Sequence, residues 1–501
     1  MATEQSQNDD VPRARGGHSS AHEEPSARTS QNADAPRTHA GHRPTSKHRR
    51  RVVIVGGGFG GLAAAHELRH ADVDVTLVDR THHHLFQPLL YQVAGGGLAA
   101  GECATPIRTA LRRNSNITVL MGEATGLDAE RRQLVLDRGE RLDYDSLIVA
   151  CGAETSYFGK DDWREVSCGL KTLADALDLR NRLYGAFEQA ERASDQTEQR
   201  EWMTFVVIGG GPTGVELAGE LRIIAQHGMK RGFRHIDPRN AQVILLDAGE
   251  RVAAAFSKRL SGKVAKELAS LGVTVREGAR VTTIDAQGVT ASVNGTDERI
   301  AARTVIWAAG VQAVGFSREL AEATGASSDR AGRVRIEPDL TVGGHPEISA
   351  IGDTVLLTGP DGKPYPGLAT VAIQQGRHVA KAIHKGAPGA STPFHYLDKG
   401  ALAVVGRGKA VCEIRGHEIS GRLAFFTYLT VHMYYLGGVR GGRLKVLIDW
   451  ISARLGNPQN QVMDGYLSTV ERIPAGADDG GSNRSSAKTG GAPAPSAGSE
   501  P

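Results

Sequence analysis

The sequence predicts an α/β chain of two Rossmann-like dinucleotide-binding domains, followed by a C-terminal helical segment that associates with membranes. Three observations carry this. Val52-Val-Ile-Val-Gly-Gly-Gly-Phe-Gly-Gly-Leu62 runs an apolar strand into glycines at G-x-G-x-x-G spacing, with helix-permissive sequence behind. Phe205-Val-Val-Ile-Gly-Gly-Gly-Pro-Thr-Gly214 repeats the pattern. Near the end, Leu423 to Val439 is apolar nearly all round, with Arg422 and Arg440 beside it.

The 501 residues are enough for two or three domains. Residues 1–47 are rich in Ser, His, Arg, Asp and Pro, and residues 474–501 in Gly, Ser, Ala and Pro. Neither end has enough apolar surface to offset ordering entropy, so both read as disordered tails. The N-terminal histidines lack ligand spacing, and no metal site is expected. No apolar stretch near Met1 matches a secretory signal. The stretch behind Arg49-Arg50-Arg51 is the glycine-motif strand, which excludes a twin-arginine signal. A net charge of +3 gives no reason to expect a nucleic-acid partner. Cys103, Cys151, Cys168 and Cys412 form no C-x-x-C pair, which argues against a local redox dithiol.

In the first unit, Gly56 permits the turn, Gly58 admits a pyrophosphate, and Gly61 lets helix pack on strand. Gly60 lies within the same motif. The second strand, 73–78, ends in Asp79, placed to accept hydrogen bonds from the adenosine ribose. A surface acid at a strand end is the plainer reading, and the turn spacing favours the ribose. His82-His-His84 are adjacent and share no face, so the segment from His82 to Gly97 is expected to be a loop packed along the cofactor, with Gln87 in it. A basic helix is expected at 105–113, and strands at 117–121, 134–136 and 141–142. Ser146 to Ala150 is a buried strand ending in Cys151 and Gly152, small enough for close ligand approach. Residues 170–192 have helical apolar periodicity.

In the second unit, Gly209, Gly211 and Gly214 repeat the first set, and the strand 242–246 ends in Asp247. An acid there favours NADH over NADPH, although Arg251 nearby keeps NADPH open. Glu216, in the first turn of the new helix, either complements the helix dipole or lies by the nicotinamide. Strands are expected at 273–276 and 301–307, the latter leading to Gly310. Glu347 to Asp353 reads as a buried strand ending in Gly352-Asp353. That acid either binds a hydroxylated linker such as the FAD ribityl chain or forms a simple turn. A helix at 369–384 carries Gln374 and Gln375. Residues 443–454 are basic and amphipathic. With the apolar stretch before them they read as a monotopic anchor, or else as a dimer interface or domain core.

Several stretches resemble the type II NADH dehydrogenases, single-chain NADH:quinone oxidoreductases of the two-dinucleotide-binding-domain flavoprotein superfamily. They are Leu85-Phe-Gln-Pro-Leu-Leu-Tyr-Gln-Val-Ala94, Leu170-Lys-Thr-Leu173, Gly211-Pro-Thr-Gly-Val-Glu-Leu-Ala-Gly-Glu-Leu221, Val371-Ala-Ile-Gln-Gln-Gly376, Asp398-Lys-Gly400 with Val404-Val-Gly406, and the region of Val431-His432. The resemblance implies a glutathione-reductase-like architecture. Residues 51–165 and 311–390 would form an FAD-binding domain, 166–310 an NADH-binding domain and 391–470 a membrane-anchoring domain, between tails at 1–50 and 471–501.

It implies non-covalent FAD held by Gly56, Gly58, Gly61, Asp79 and Asp353, and NADH held by Gly209, Gly211, Gly214 and Asp247. Glu216 matches an acid near nicotinamide and quinone, and Gln374 and Gln375 a quinone-side helix. Gly60, Gln87, Cys151, Gly152, Gly352 and Gly310 complete the expected cofactor contacts. The expected setting is peripheral, on the cytoplasmic face of the inner membrane, with a membrane quinone, the lipid surface and a second copy as partners. Two departures stand out: Ala369-Thr370 where the family often has Ala-Gln, and Cys151 where Thr is usual. The competing readings are a soluble NADH:acceptor reductase, a sulfide:quinone oxidoreductase, which the cysteine pattern disfavours, and a flavin redox sensor.

Overall fold

Arg50–Val55 lies inside a six-stranded sheet ordered Thr341–Val342, His345–Ala350, Ser146–Val149, Arg50–Val55, Val73–Asp79, Ile117–Met121. The last five are mutually parallel, and Thr341–Val342 runs antiparallel at one edge. The computed structural model describes residues 49–228, 232–386, 392–406 and 408–436. The 443–454 stretch and the expected tails lie outside them, except Arg49 and Arg50: expected in the tail, they are described, and Arg50 opens the first strand. Both faces of the central strands are covered, which is why Val52–Val55 reads as an unbroken apolar run. His345–Ala350 reaches this sheet from beyond the second glycine motif. The second motif has its own parallel sheet, ordered Val273–Arg276, Gln242–Leu246, Thr204–Ile208, Thr304–Trp307.

Each glycine turn opens a helix, Phe59–Glu67 in the first unit and Pro212–Ile223 in the second. Phe59–Glu67 crosses Ala369–His384 at backbone contact: a Cβ on Gly376 would lie 2.3 Å from the Gly60 carbonyl oxygen. The helix expected at 170–192 begins at Leu173, because the Thr172 side chain accepts from Asp175 N–H and ends the extended approach.

The segment expected to be a loop at 82–97 is largely ordered structure. His83–Leu85 pairs with Ala104–Pro106, and a turn at Gln87–Leu89 leads into a helix at Leu90–Ala94. Pro88 is tolerated because it sits in the first turn, where its missing N–H has no helical partner to lose. Leu89, Leu90, Tyr91, Val93 and Ala94 are all buried. The basic helix expected at 105–113 shrinks to Ile107–Leu111, with Pro106 at its cap. Two antiparallel sheets had no full counterpart in the sequence reading: Ala279–Asp285, Gly288–Val293 and Thr296–Ala301, and Ala401–Gly406, Lys409–Ile414 and His417–Gly421. Asn294-Gly295, both at positive φ, turns one hairpin of the first.

The apolar stretch near the end forms the helix Arg422–Tyr435. Ala424, Tyr428 and His432 share its buried face, while Leu423, Phe426 and Tyr434 are exposed. Among the described residues, no helix is long and apolar enough to cross a membrane.

The C-terminal sheet docks on the second unit. A Cβ on Gly219 would lie 2.0 Å from the Val405 carbonyl oxygen. Lys409 pairs with Glu267 and Arg259 with Glu418, and Lys263 Nζ donates to Ser420 Oγ at 2.8 Å. Gly219→Val is therefore expected to loosen 401–421 at a cost of about 1–3 kcal/mol. Hydrogen exchange should accelerate there and stay unchanged in 50–55.

Candidate active site

The two glycine turns share one geometry, residue for residue. Gly56 and Gly209 have φ of +104° and +109°, a backbone that L side chains rarely adopt. Their N–H groups donate to Val78 O and Leu246 O, at 2.7 and 2.8 Å. Gly61 and Gly214 lie so close to those first glycines that a Cβ would meet the Gly56 or Gly209 carbonyl oxygen at 1.8 Å. Gly58 and Gly211 face open space, as a pyrophosphate cradle requires. Neither helix start has an acid in its first turn or a capping side-chain hydrogen bond, and Glu216, expected in the first turn, is the fifth residue of Pro212–Ile223 and lies beyond it.

Asp79 and Asp247 occupy equivalent positions and do similar work. Asp79 Oδ2 accepts from Gly57 N–H at 2.6 Å, and its Oδ1 from Thr81 N–H and Oγ1. Asp247 accepts from Gly210 N–H and Gly249 N–H. Both acids thus brace the turn as well as ending the strand. Arg251, which kept NADPH open, donates to Phe256 O and Ala254 O at 2.7 and 2.9 Å. Its guanidinium is engaged by backbone carbonyls, which supports NADH.

Cys151 and Gly152 follow Ser146–Val149. Burial pushes the Cys151 thiol up to about 12. Gly152 N–H donates to Thr354 Oγ1 at 2.9 Å. Gly152 and Gly310 then lead into Ala153–Thr155 and Val311–Ala313, an antiparallel pair that ties the ends of the two sheets together. A Cβ on Gly310 would lie 2.4 Å from the ring edge of Phe158, an exposed side chain that would have to swing aside.

Gly352 and Asp353 sit at the end of His345–Ala350. Gln375 is buried, and its Oε1 accepts from Gly352 N–H at 2.7 Å. Gln374 braces Leu397 through both backbone groups, each at 3.0 Å. The two adjacent amides therefore hold the backbone of two different segments, at Gly352 and Leu397. Gln87, from a distant segment, meets Lys171 and through it Asp353. Lys171 was legible only as part of Leu170-Lys-Thr-Leu173.

Glu216 is buried where the second glycine helix meets the C-terminal sheet. Desolvation raises its pKa to about 8, against which Val404 N–H donates at 3.3 Å. Tyr91 and Tyr428 are buried beside it, and burial raises both phenols, with Glu216 adding to the shift. His432 stacks on Tyr428 at 3.7 Å between ring centroids, and burial lowers its pKa to about 4. The site thus joins a carboxyl whose burial favours the protonated form to side chains from two other segments and a backbone N–H from a third.

A family model for the pyridine nucleotide-disulphide oxidoreductases matches residues 50–376. A type II NADH:quinone oxidoreductase of Mycobacterium tuberculosis is 44% identical over 429 residues, covering 84% of this chain and 91% of the relative. The chain belongs to the type II NADH:quinone oxidoreductases. A member from Staphylococcus haemolyticus is 27% identical over 404 residues, covering 79% of this chain and 98% of its own length. The fold matches that of an NDH2 from Plasmodium falciparum solved with NADH, at TM-score 0.73 and 19% identity, covering 81% of this chain and 98% of that one.

The cofactors of this family member are FAD and NADH, and the residues present fit them. Two open glycine cradles, each with an acid on the neighbouring strand, are what two dinucleotides need. The four cysteines are all free. Burial pushes the Cys103, Cys151 and Cys168 thiols each up to about 12, and raises Cys412. Such thiols are poor nucleophiles, which counts against sulfide chemistry.

Proposed function

We propose that the chain oxidises NADH and reduces a membrane quinone while seated on a bilayer surface, on the cytoplasmic face of the inner membrane, as a homodimer. The observation that carries the two-cofactor arrangement is the repeated glycine turn, with the two sheet ends tied together through Gly152 and Gly310. In this reading residues 51–165 and 311–390 hold FAD, residues 166–310 hold NADH, and residues 391–470 face the membrane.

FAD, when bound, supplies the two-electron redox chemistry. The chain supplies position and a proton. Gly56, Gly58, Gly60 and Gly61 shape the first cradle, with Asp79 at its adenosine end. Cys151, Gly152, Gly352, Asp353 and Gln87 line its other end. Gly209, Gly211, Gly214, Asp247 and Gly310 do the same for NADH. The reaction, NADH + H⁺ + quinone → NAD⁺ + quinol, consumes one proton beyond the hydrogen NADH delivers. Glu216, neutral up to a pH of about 8, holds that proton at its carboxyl. Gln374 and Gln375 position the quinone-side backbone at Leu397 and Gly352.

Leu423, Phe426 and Tyr434 support the surface reading, because large apolar side chains exposed on one helix suit the interfacial layer of a bilayer. The test uses Leu423→Ser, Phe426→Ser and Tyr434→Ser together. The triple variant should keep FAD and its rate with a short-chain, water-soluble quinone. It should lose flotation with anionic phospholipid vesicles and activity toward a long-tailed quinone in them. Undiminished flotation contradicts the surface reading. Loss of a dimer in its place assigns the face to a second copy.

A further inference from the structure

We propose that Lys171 is the cation that sets the reduction potential of the bound FAD. The inference rests on FAD occupying the first glycine turn. The order of the first sheet orients that cofactor. The turn lies at the end of Arg50–Val55, and Asp79 lies one strand to one side. Gly352-Asp353 lies two strands to the other side, beyond Ser146–Val149. A dinucleotide laid across the carboxyl ends of these strands puts adenosine toward Asp79, pyrophosphate at Gly58, and the flavin end toward Asp353. Lys171 stands beside Asp353, away from the phosphates.

Three elements fix it there. Lys171 N–H and Thr172 N–H both donate to Asp175 Oδ2, at 2.9 and 2.8 Å. Gln87 holds the residue at both ends: its Nε2 donates to Lys171 O at 3.3 Å, and its Oε1 accepts from Lys171 Nζ at 3.4 Å. The Nζ to Asp353 Oδ2 distance is 3.7 Å, an ion-pair separation too long for a hydrogen bond. An ammonium carries three donors, so this one retains donor capacity toward the site. Its side chain is only 18% exposed, so water screens it weakly. Asp353 offsets part of its charge, so what the ammonium offers the flavin end is a fixed, weakly screened N–H donor, which favours the extra negative charge that two-electron reduction brings and so eases electron entry.

The test is an anaerobic redox titration of the FAD-loaded protein against a reference dye. Lys171→Gln should keep its FAD and lower the reduction constant about tenfold, equivalent to about 30 mV for a two-electron couple. Lys171→Arg, which keeps the charge, should stay within about threefold of the parent by the same logic. Gln87→Ala, which frees the ammonium without removing it, should lower the constant by less than Lys171→Gln does. An unchanged constant in Lys171→Gln overturns the proposal. So does loss of FAD from that variant, which would make Lys171 an anchor. The dye titration needs no quinone, so a protein that reduces no quinone would fail the functional reading and still answer this question.

Discussion

Gly214→Ala slows NADH oxidation about 100-fold and leaves FAD in place. The new methyl would lie 1.8 Å from the Gly209 carbonyl oxygen. Gly209 cannot retreat, because its φ of +109° and its bond to Leu246 O fix the turn. Helix Pro212–Ile223 must instead lift off strand Thr204–Ile208, taking the open cradle at Gly211 with it. Overpacking of this kind costs about 1–3 kcal/mol. A displacement of about 1 Å in a positioning element costs about 100-fold in rate. The first turn is untouched, so FAD content should match the parent, and dithionite should still reduce it. Gly61→Ala, its counterpart, should lose FAD instead. Parent-like NADH kinetics in Gly214→Ala would refute the assignment of the second turn.

Glu216→Gln changes both the pH dependence of stability and the turnover rate. Burial raises the Glu216 pKa from 4.5 to about 8. Between those values the unfolded chain releases a proton that the folded chain keeps. Stability from this group is therefore fully present below pH 4.5 and is lost as pH rises toward 8. The upper limit is on the order of 4–5 kcal/mol, at 1.36 kcal/mol per unit. The amide cannot ionise, so Glu216→Gln should raise the melting temperature relative to the parent at pH 8 and have little effect at pH 4.5. If Glu216 delivers the quinone's proton, its loss slows turnover about 100-fold, with FAD retained. The parent rate should fall as pH rises through about 8, and the variant profile should be flat there. A variant with the parent's rate and pH profile would reduce Glu216 to a structural residue.

The parallel strands were legible almost to the residue. Ile117–Met121, Gln242–Leu246 and Val273–Arg276 are short, β-branched or leucine-rich runs closed by turn signals, and helix Ala369–His384 has clear apolar periodicity. The glycine turns were legible because few other residues fit their backbone. The 82–97 segment was misread because Pro88 and three glycines look like loop punctuation, while its burial depends on helix Leu173–Arg192 far along the chain. The hairpins at 279–301 have a polar outer strand at Thr296–Ala301, so alternation is weak. Asn294-Gly295 was the missed signal. The Gln87–Lys171–Asp353 cluster, the hold of Gln375 on Gly352 and the packing of Tyr91 and Tyr428 around Glu216 join residues from distant segments. Local pattern carries no trace of such encounters.

Anaerobic rapid mixing tests the central claim most directly: electrons enter from NADH, pass through FAD on the first turn, and leave to a quinone. Purified, FAD-loaded protein mixed with NADH should lose the visible absorbance of its oxidised flavin. A second mix with quinone should restore it, with one quinol formed for each NADH consumed. Absorbance that NADH does not bleach, or that quinone does not restore, would contradict the account.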